Sequence, residues 1–184
     1  MADELFPHRT ERLTLRFHEP RDHDDLLRVY RREDVARYLL EEPWTPEQTS
    51  ERLARRITRR TLFDEPHSLS LIIEDAQGRY IGDLALWLTD VDHRQAEIGW
   101  VLDPDHAGRG YATEAASALL QLAFTRLDVH RVAAEMDARN DASAALARRL
   151  HFRLEGHMIE DLYCKGEYTD TFVFGMLARD LPRT

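Results

Sequence analysis

In the middle of this chain an apolar strand runs into a helix through a loop with two glycines one residue apart: residues 103–115 read Asp-Pro-Asp-His-Ala-Gly-Arg-Gly-Tyr-Ala-Thr-Glu-Ala. That junction constrains the fold more than any other segment. Gly108 and Gly110 carry no side chains to block a close approach, so successive backbone N–H groups can turn toward one anion. The helix expected from Tyr111 adds unpaired N–H donors and the positive end of its dipole. A pyrophosphate suits such a cradle. The strand–loop–helix–strand order also requires a parallel strand pair with a right-handed crossover.

Spacing separates the known phosphate loops. A Walker loop needs Gly-x-x-x-x-Gly-Lys-Ser/Thr, and no such string occurs. A Rossmann fingerprint needs Gly-x-Gly-x-x-Gly tight against its strand; here Thr113 stands at the third glycine, and residues 103–107 separate the strand from the glycines. Glu135 or Asp137 could imitate a ribose-binding acid, yet the chain remaining after them is too short for the rest of a doubly wound domain.

A third loop fits better. Ala107-Gly108-Arg109-Gly110-Tyr111-Ala112 resembles motif A of the GNAT superfamily of acyl-CoA-dependent N-acetyltransferases, Gln/Arg-x-x-Gly-x-Gly/Ala, with Ala107 where the family usually has Gln or Arg. Thr113, Glu114 and Ala115 continue the match. Residues 97–102 (Glu-Ile-Gly-Trp-Val-Leu) precede the loop as the family's fourth strand does, and residues 130–137 follow the helix as its fifth. Asn140-Asp-Ala-Ser143 and the later Arg-Arg-Leu-His-Phe at 148–152 resemble the family's Asn-x-x-Ser and Lys-Leu-Gly-Phe passages. His151 replaces the usual glycine just past a helix end, a place where a left-handed residue is common. The opening Arg-Leu-Thr-Leu-Arg at 12–16 and the closing Gly-Glu-Tyr-Thr-Asp at 166–170 look like the ribosomal-protein N-terminal acetyltransferase branch.

The fold that this resemblance implies is α/β: a GNAT-like central mixed β-sheet of about seven strands with flanking helices, in one N-acetyltransferase domain over residues 1–184. Local pattern agrees. Residues 13–17 alternate as a strand should, and 23–40 look helical. Pro43-Trp-Thr-Pro46 breaks that pattern before residues 47–62 resume it, with Thr45 as N-cap and Pro46 at the first helical position. Residues 68–74 and 80–88 read as a hairpin across Asp75-Ala-Gln-Gly78. Apolar residues at 112, 116, 119, 123 and 127 give a helix with one face on a sheet, and 152–162 and 168–177 read as long strands joined around Lys165-Gly166.

With 184 residues, the chain suits one domain with a substantial core. Its 25 basic and 34 acidic residues, a net charge of −9, argue against a general polyanion-binding surface and suit cationic substrates. The one cysteine, Cys164, cannot form an internal disulfide, and no apolar leader or membrane span is apparent, so a cytoplasmic setting without membrane contact is expected. The basic stretch 52–60 is interleaved with Leu53 and Ile57, an amphipathic helix rather than a nucleic-acid site. Nine histidines form neither His-x-His nor His-Glu-x-x-His, so no metal is expected.

The resemblance implies acetyl-CoA as cosubstrate, and a primary amine, with a protein N-terminus favoured by the branch, as acceptor. Direct attack in a ternary complex needs a neutral amine, a held carbonyl and a protonated leaving sulfur. Glu97, on the strand face opposite Ile98 and Trp100, is the candidate base, with Glu41, Glu42 and Glu160 as rivals. Ser143 either steadies the departing sulfur or simply opens a helix, and Asn140 either touches the cofactor or closes a turn. Backbone groups of Trp100, Val101 and Leu102 are expected to pair with the pantetheine arm as an added strand. Ala107, Gly108, Arg109, Gly110, Tyr111, Ala112 and Thr113 form the expected cofactor loop, with Arg109 and Arg149 either near the phosphates or on a solvated face. Trp44 and Trp87 are candidates to line an acceptor cleft. No acyl-enzyme on Cys164 is expected, since no base is identifiable beside it. The alternatives are a noncatalytic acyl-CoA-binding regulatory module and a small-molecule (polyamine or antibiotic) acetyltransferase; a homodimer is left open.

Overall fold

A computed structural model describes residues 4–181. One sheet organises it, in the order β1 (His8–Arg9), β2 (Leu13–Phe17), β4 (Ser68–Asp75), β5 (Tyr80–Asp90), β6 (Gln95–Leu102), β7 (Arg131–Asp137), β9 (Glu167–Leu177), β8 (Arg153–Cys164), with β3 (Arg60–Thr61) paired to β4. Nine strands replace the expected seven or so. The two extra ones, β1 and β3, are two residues long, too short to show a period-two pattern in sequence.

The helices are α1 (His23–Tyr30), α2 (Glu33–Ala36), α3 (Pro46–Ile57), α4 (Tyr111–Thr125) and α5 (Asp141–Arg149). The single helix expected over 23–40 is broken after Tyr30. The carbonyls of Leu27 and Val29 close its last turn, and Arg32 then takes extended φ/ψ before α2. For α3 the expected start holds, with Thr45 as N-cap and Pro46 opening the helix, and the structure adds a capping box in which Thr45 accepts from the Gln48 N–H and the Gln48 side chain accepts from the Thr45 N–H. The helix expected to run to residue 62 ends at Ile57, where the chain turns to pair β3 with β4.

Strand alternation splits the apolar residues between two faces. Leu69, Leu71, Leu84, Leu86, Ala96 and Ile98 turn toward α4 and α5 and form the larger core with Leu119, Ala123, Leu146 and Phe174. Ile72 and Tyr80 turn the other way and pack under α1 and α3 with Leu26, Val29, Trp44 and Leu53. Burying side chains of this size stabilises by about 1.5–3 kcal/mol each before chain entropy is subtracted.

The second core contains a polar knot. Asp83, buried between the sheet and α3, accepts from the Tyr30 hydroxyl at 2.9 Å and the Tyr80 hydroxyl at 2.7 Å. Arg56 pairs with it at 3.1 Å, donates to the Tyr30 oxygen at 2.8 Å and lies over the Tyr30 and Trp44 rings. Burying these phenols raises both their pKa values well above the usual tyrosine value.

The feature that positions the site is a fork in the sheet. Among the described residues β6 and β7 form the only parallel pair, and they pair at residues 95–97 with 131–133. Beyond that point β7 stays with β9, and β6 stays with β5 through Leu102. The strands part, so the β7-facing edge of residues 98–102 has no strand partner.

Candidate active site

Two cavities open along that fork. The first, about 660 Å³, is lined by the free end of β6, the glycine loop and first turn of α4, the start of α5 and part of the α2 region. The second, about 480 Å³, lies on the opposite side of the β6 edge, between β5, β6, β7, α3 and β8. Tyr38, Leu39, Trp100, Val101, Asn140 and Ser143 line both, so the cavities meet at the fork.

The glycine loop takes the conformation that its sequence demands. Gly108 and Gly110 have φ of +75° and +78°, left-handed values that side chains rarely adopt, and Gly110 is the residue before the first turn of α4. The loop's other end is anchored by Asp103, whose fully buried carboxylate accepts from the Asp105 N–H at 3.0 Å and pairs with Arg28 of α1 at 2.5 Å. A glycine-paired turn at a helix N-terminus, beside an unpaired strand edge, fits a pyrophosphate followed by an amide-bearing arm that can pair with the strand.

All thirteen residues expected to contact the cofactor line the first cavity: Trp100, Val101, Leu102, Ala107, Gly108, Arg109, Gly110, Tyr111, Ala112, Thr113, Asn140, Ser143 and Arg149. Asn140 is the N-cap of α5, its side-chain oxygen accepting from the Ser143 N–H at 3.0 Å. Ser143 is therefore not the cap. Its hydroxyl oxygen accepts from the Trp100 indole N–H at 3.2 Å, which leaves its own proton available at the junction of the two cavities. His151 has φ of +67°, and the Phe152 N–H returns to the Ala147 carbonyl at 3.0 Å, a helix stop that usually takes glycine.

Glu97 lines the second cavity. Burial, and then the nearby Glu135 carboxylate, raise its pKa from 4.5 to about 7. The rivals stand elsewhere. Glu41 is tied to Arg52 at 2.5 Å and accepts from the Trp44 indole at 2.9 Å, while Glu42 and Glu160 are exposed. None of the three lines the second cavity. Of the two tryptophans expected at an acceptor cleft, Trp87 lines it, as Trp100 does, whereas Trp44 is buried and stacked on Tyr30 at 3.9 Å. Sequence reading also missed Glu135, which looked like a ribose-binding acid; only the pairing of β6 with β7 brings it to Glu97. The Cys164 thiol lines neither cavity and donates to the Leu40 carbonyl at 3.4 Å. Among the described residues, no group of three metal-ligating side chains occurs, and no helix is long and apolar enough to cross a membrane.

A forked mixed sheet whose glycine loop faces the free strand edge defines a class of acyl-CoA-dependent transferases, and the sequence relationships agree. The chain belongs to the GNAT family of N-acetyltransferases: the acetyltransferase (GNAT) domain matches residues 12–153. It is 30% identical to the uncharacterized N-acetyltransferase p20 of Bacillus licheniformis over 93% of this chain and 96% of that one. Over 56% of each chain it is 32% identical to the putative ribosomal N-acetyltransferase YdaF of Bacillus subtilis. The crystal structure of the Vibrio cholerae spermidine N-acetyltransferase in complex with CoA and spermine superposes with a TM-score of 0.80 at 26% identity, covering 93% of this chain and 98% of that one. The protein is thus an acetyl-CoA-dependent N-acetyltransferase.

Proposed function

We propose that the protein, acting as one domain, acetylates a primary amine of a small polycationic compound by direct attack on acetyl-CoA in a ternary complex. The observation that carries this reading is the meeting of two differently built cavities at Ser143 and Trp100, one beside a phosphate cradle and one holding Glu97. Bound acetyl-CoA supplies an activated carbonyl and a thiolate leaving group; the rest falls to the chain's own residues.

The glycine loop and the first turn of α4 hold the pyrophosphate, and the free β6 edge at Trp100 to Leu102 aligns the arm. Glu97 takes the ammonium proton, directly or through water, and the second proton, which the nitrogen sheds as the amide forms, leaves on the CoA thiol. A carboxyl near pH 7 is substantially ionised at neutral pH and is far more basic than an ordinary glutamate. Ser143 donates its hydroxyl proton toward the site where negative charge develops on sulfur, while Trp100 fixes its oxygen. No covalent intermediate on the protein is invoked.

Charge supports the acceptor class. Arg56 pairs internally with Asp83, and Asp137 pairs with Arg139, so Glu97, Glu135 and Asp161 set the sign of the second cavity. A chain with amines spaced along it satisfies more than one of these carboxylates at once. The relationship to a spermidine N-acetyltransferase points the same way. A protein N-terminus is the second reading, favoured by the opening and closing motifs and by the likeness to YdaF.

Thiol release from acetyl-CoA, measured against spermine, spermidine, a monoamine and peptides with free N-termini, separates these readings. Polyamines should give the highest kcat/KM. Peptides outpacing them would replace the acceptor assignment, and no thiol release with any of these amines would leave only a CoA-binding module.

A further inference from the structure

The opening motif of the chain lies outside both cavities, yet it reaches the glycine loop. Arg12 stands just before β2, and its side chain crosses to the start of α4. Its backbone N–H donates to one Glu114 oxygen at 2.8 Å, its Nε to the other at 2.7 Å, and its Nη1 to the Arg109 carbonyl at 2.9 Å. The Thr10 hydroxyl donates to the same Glu114 carboxylate at 2.5 Å, and the Arg12 guanidinium lies 4.9 Å from the Tyr111 ring centroid. Arg12 is thus a fork with one tine on the helix and one on the loop.

The bond to the Arg109 carbonyl matters because of peptide geometry. In a planar trans peptide the C=O and the following N–H point in opposite directions. Arg109 and Gly110 line the first cavity and Arg12 does not, so holding that carbonyl toward Arg12 turns the Gly110 N–H away from Arg12. Left alone, the Arg109–Gly110 peptide could rotate, because Gly110 tolerates φ of either sign. Rotation would turn a carbonyl where an anion needs a donor. The glycines that permit close approach also create the need for a clamp.

We propose that Arg12, braced by Glu114 and Thr10, is a positioning residue that locks the Arg109–Gly110 peptide so that the loop presents N–H donors to the pyrophosphate of CoA. The inference rests on the glycine loop being the pyrophosphate cradle. It gives the opening Arg-Leu-Thr-Leu-Arg run a task that its place outside both cavities does not reveal.

Calorimetry with CoA and with pantetheine, which lacks the pyrophosphate, tests it in wild type, Arg12→Ala, Arg12→Lys and Glu114→Gln. Arg12→Ala should weaken CoA binding by about tenfold or more, the effect of losing a charge-assisted bond, while leaving pantetheine within about twofold. Arg12→Lys, which still carries a donor for the Arg109 carbonyl, should recover part of the loss, and Glu114→Gln should show a smaller CoA-specific defect. Wild-type CoA affinity in folded Arg12→Ala, or equal losses for both ligands, would overturn the clamp while the cradle stands. If Arg12→Ala does not fold, unchanged CoA affinity in Glu114→Gln overturns it instead. Wild type that fails to bind CoA removes the cradle and the clamp together.

Discussion

Replacing Glu97 by glutamine keeps the side chain's shape and removes its charge, which makes it a test of burial as well as of catalysis. The folded chain raises this carboxyl from 4.5 to about 7, through burial first and Glu135 second. A carboxyl whose folded value lies above its unfolded one supports folding fully below the unfolded value, and that support is lost as pH rises through the folded value. Above about pH 7 the ionised group therefore costs stability. A rise of about 2.5 in pKa corresponds to roughly 3 kcal/mol for a group shut away from water. Glu97 is only half-buried in an open cavity, so screening leaves about 1 kcal/mol. For a chain of this size that is about 2–4 °C in melting temperature.

Glu97→Gln should accordingly melt about 2–4 °C above wild type near pH 8.5 and level with it near pH 4, read by scanning fluorimetry across a pH series. With an acceptor present, turnover at neutral pH should fall by about 10²–10⁴ and recover in part at high pH, where more amine is already neutral. CoA affinity should stay within a few fold. Coincident melting curves at every pH would show that Glu97 is not desolvated, and the argument for it as a tuned base would fail with that result.

Ser143→Ala should lower turnover with little change in melting temperature, because the cap of α5 is Asn140; Asn140→Ala should instead cost about 1 kcal/mol of stability. A melting drop with intact turnover in Ser143→Ala would remove the hydroxyl from the mechanism. Gly110→Val should abolish CoA binding measured by calorimetry, since φ of +78° is strained for a branched residue at the turn that opens α4. Unchanged affinity in folded mutant would move the phosphate site elsewhere. Asp83→Ala should cost about 3–5 kcal/mol in urea unfolding, because Arg56 would be left charged and buried without its partner. A loss under about 1 kcal/mol would mean that the knot is dispensable.

Much of this was legible in the sequence because local chemistry wrote it there. The loop glycines 108 and 110, the Thr45 N-cap with Pro46 behind it, the Lys165-Gly166 turn and even His151 in a glycine's place are set by neighbours in the chain, and each reads out locally. What did not read out depends on contacts between distant segments. Glu135 reaches Glu97 only because β6 and β7 run parallel for three residue pairs and then part. Tyr30, Arg56 and the Tyr80–Asp83 pair come from three elements, α1, α3 and β5, and carry no shared spacing. Trp44 looked as suited to a cleft as Trp87; only the stacking of Tyr30 and the cover of α3 put it in the core. The break between α1 and α2 was hidden too, since Arg31 and Arg32 suit a helix and no proline or glycine marks the stop.

The central claim is direct transfer from acetyl-CoA to a cationic amine held in the second cavity. Mass spectrometry of one reaction, with enzyme, acetyl-CoA and spermine together, reads both the small-molecule product and the intact protein. The account predicts spermine carrying one added acetyl group, free CoA in equal amount, and protein of unchanged mass at every time point. Acetyl appearing on the protein before it appears on spermine, or CoA binding with no acetylated amine from any acceptor tried, would contradict it.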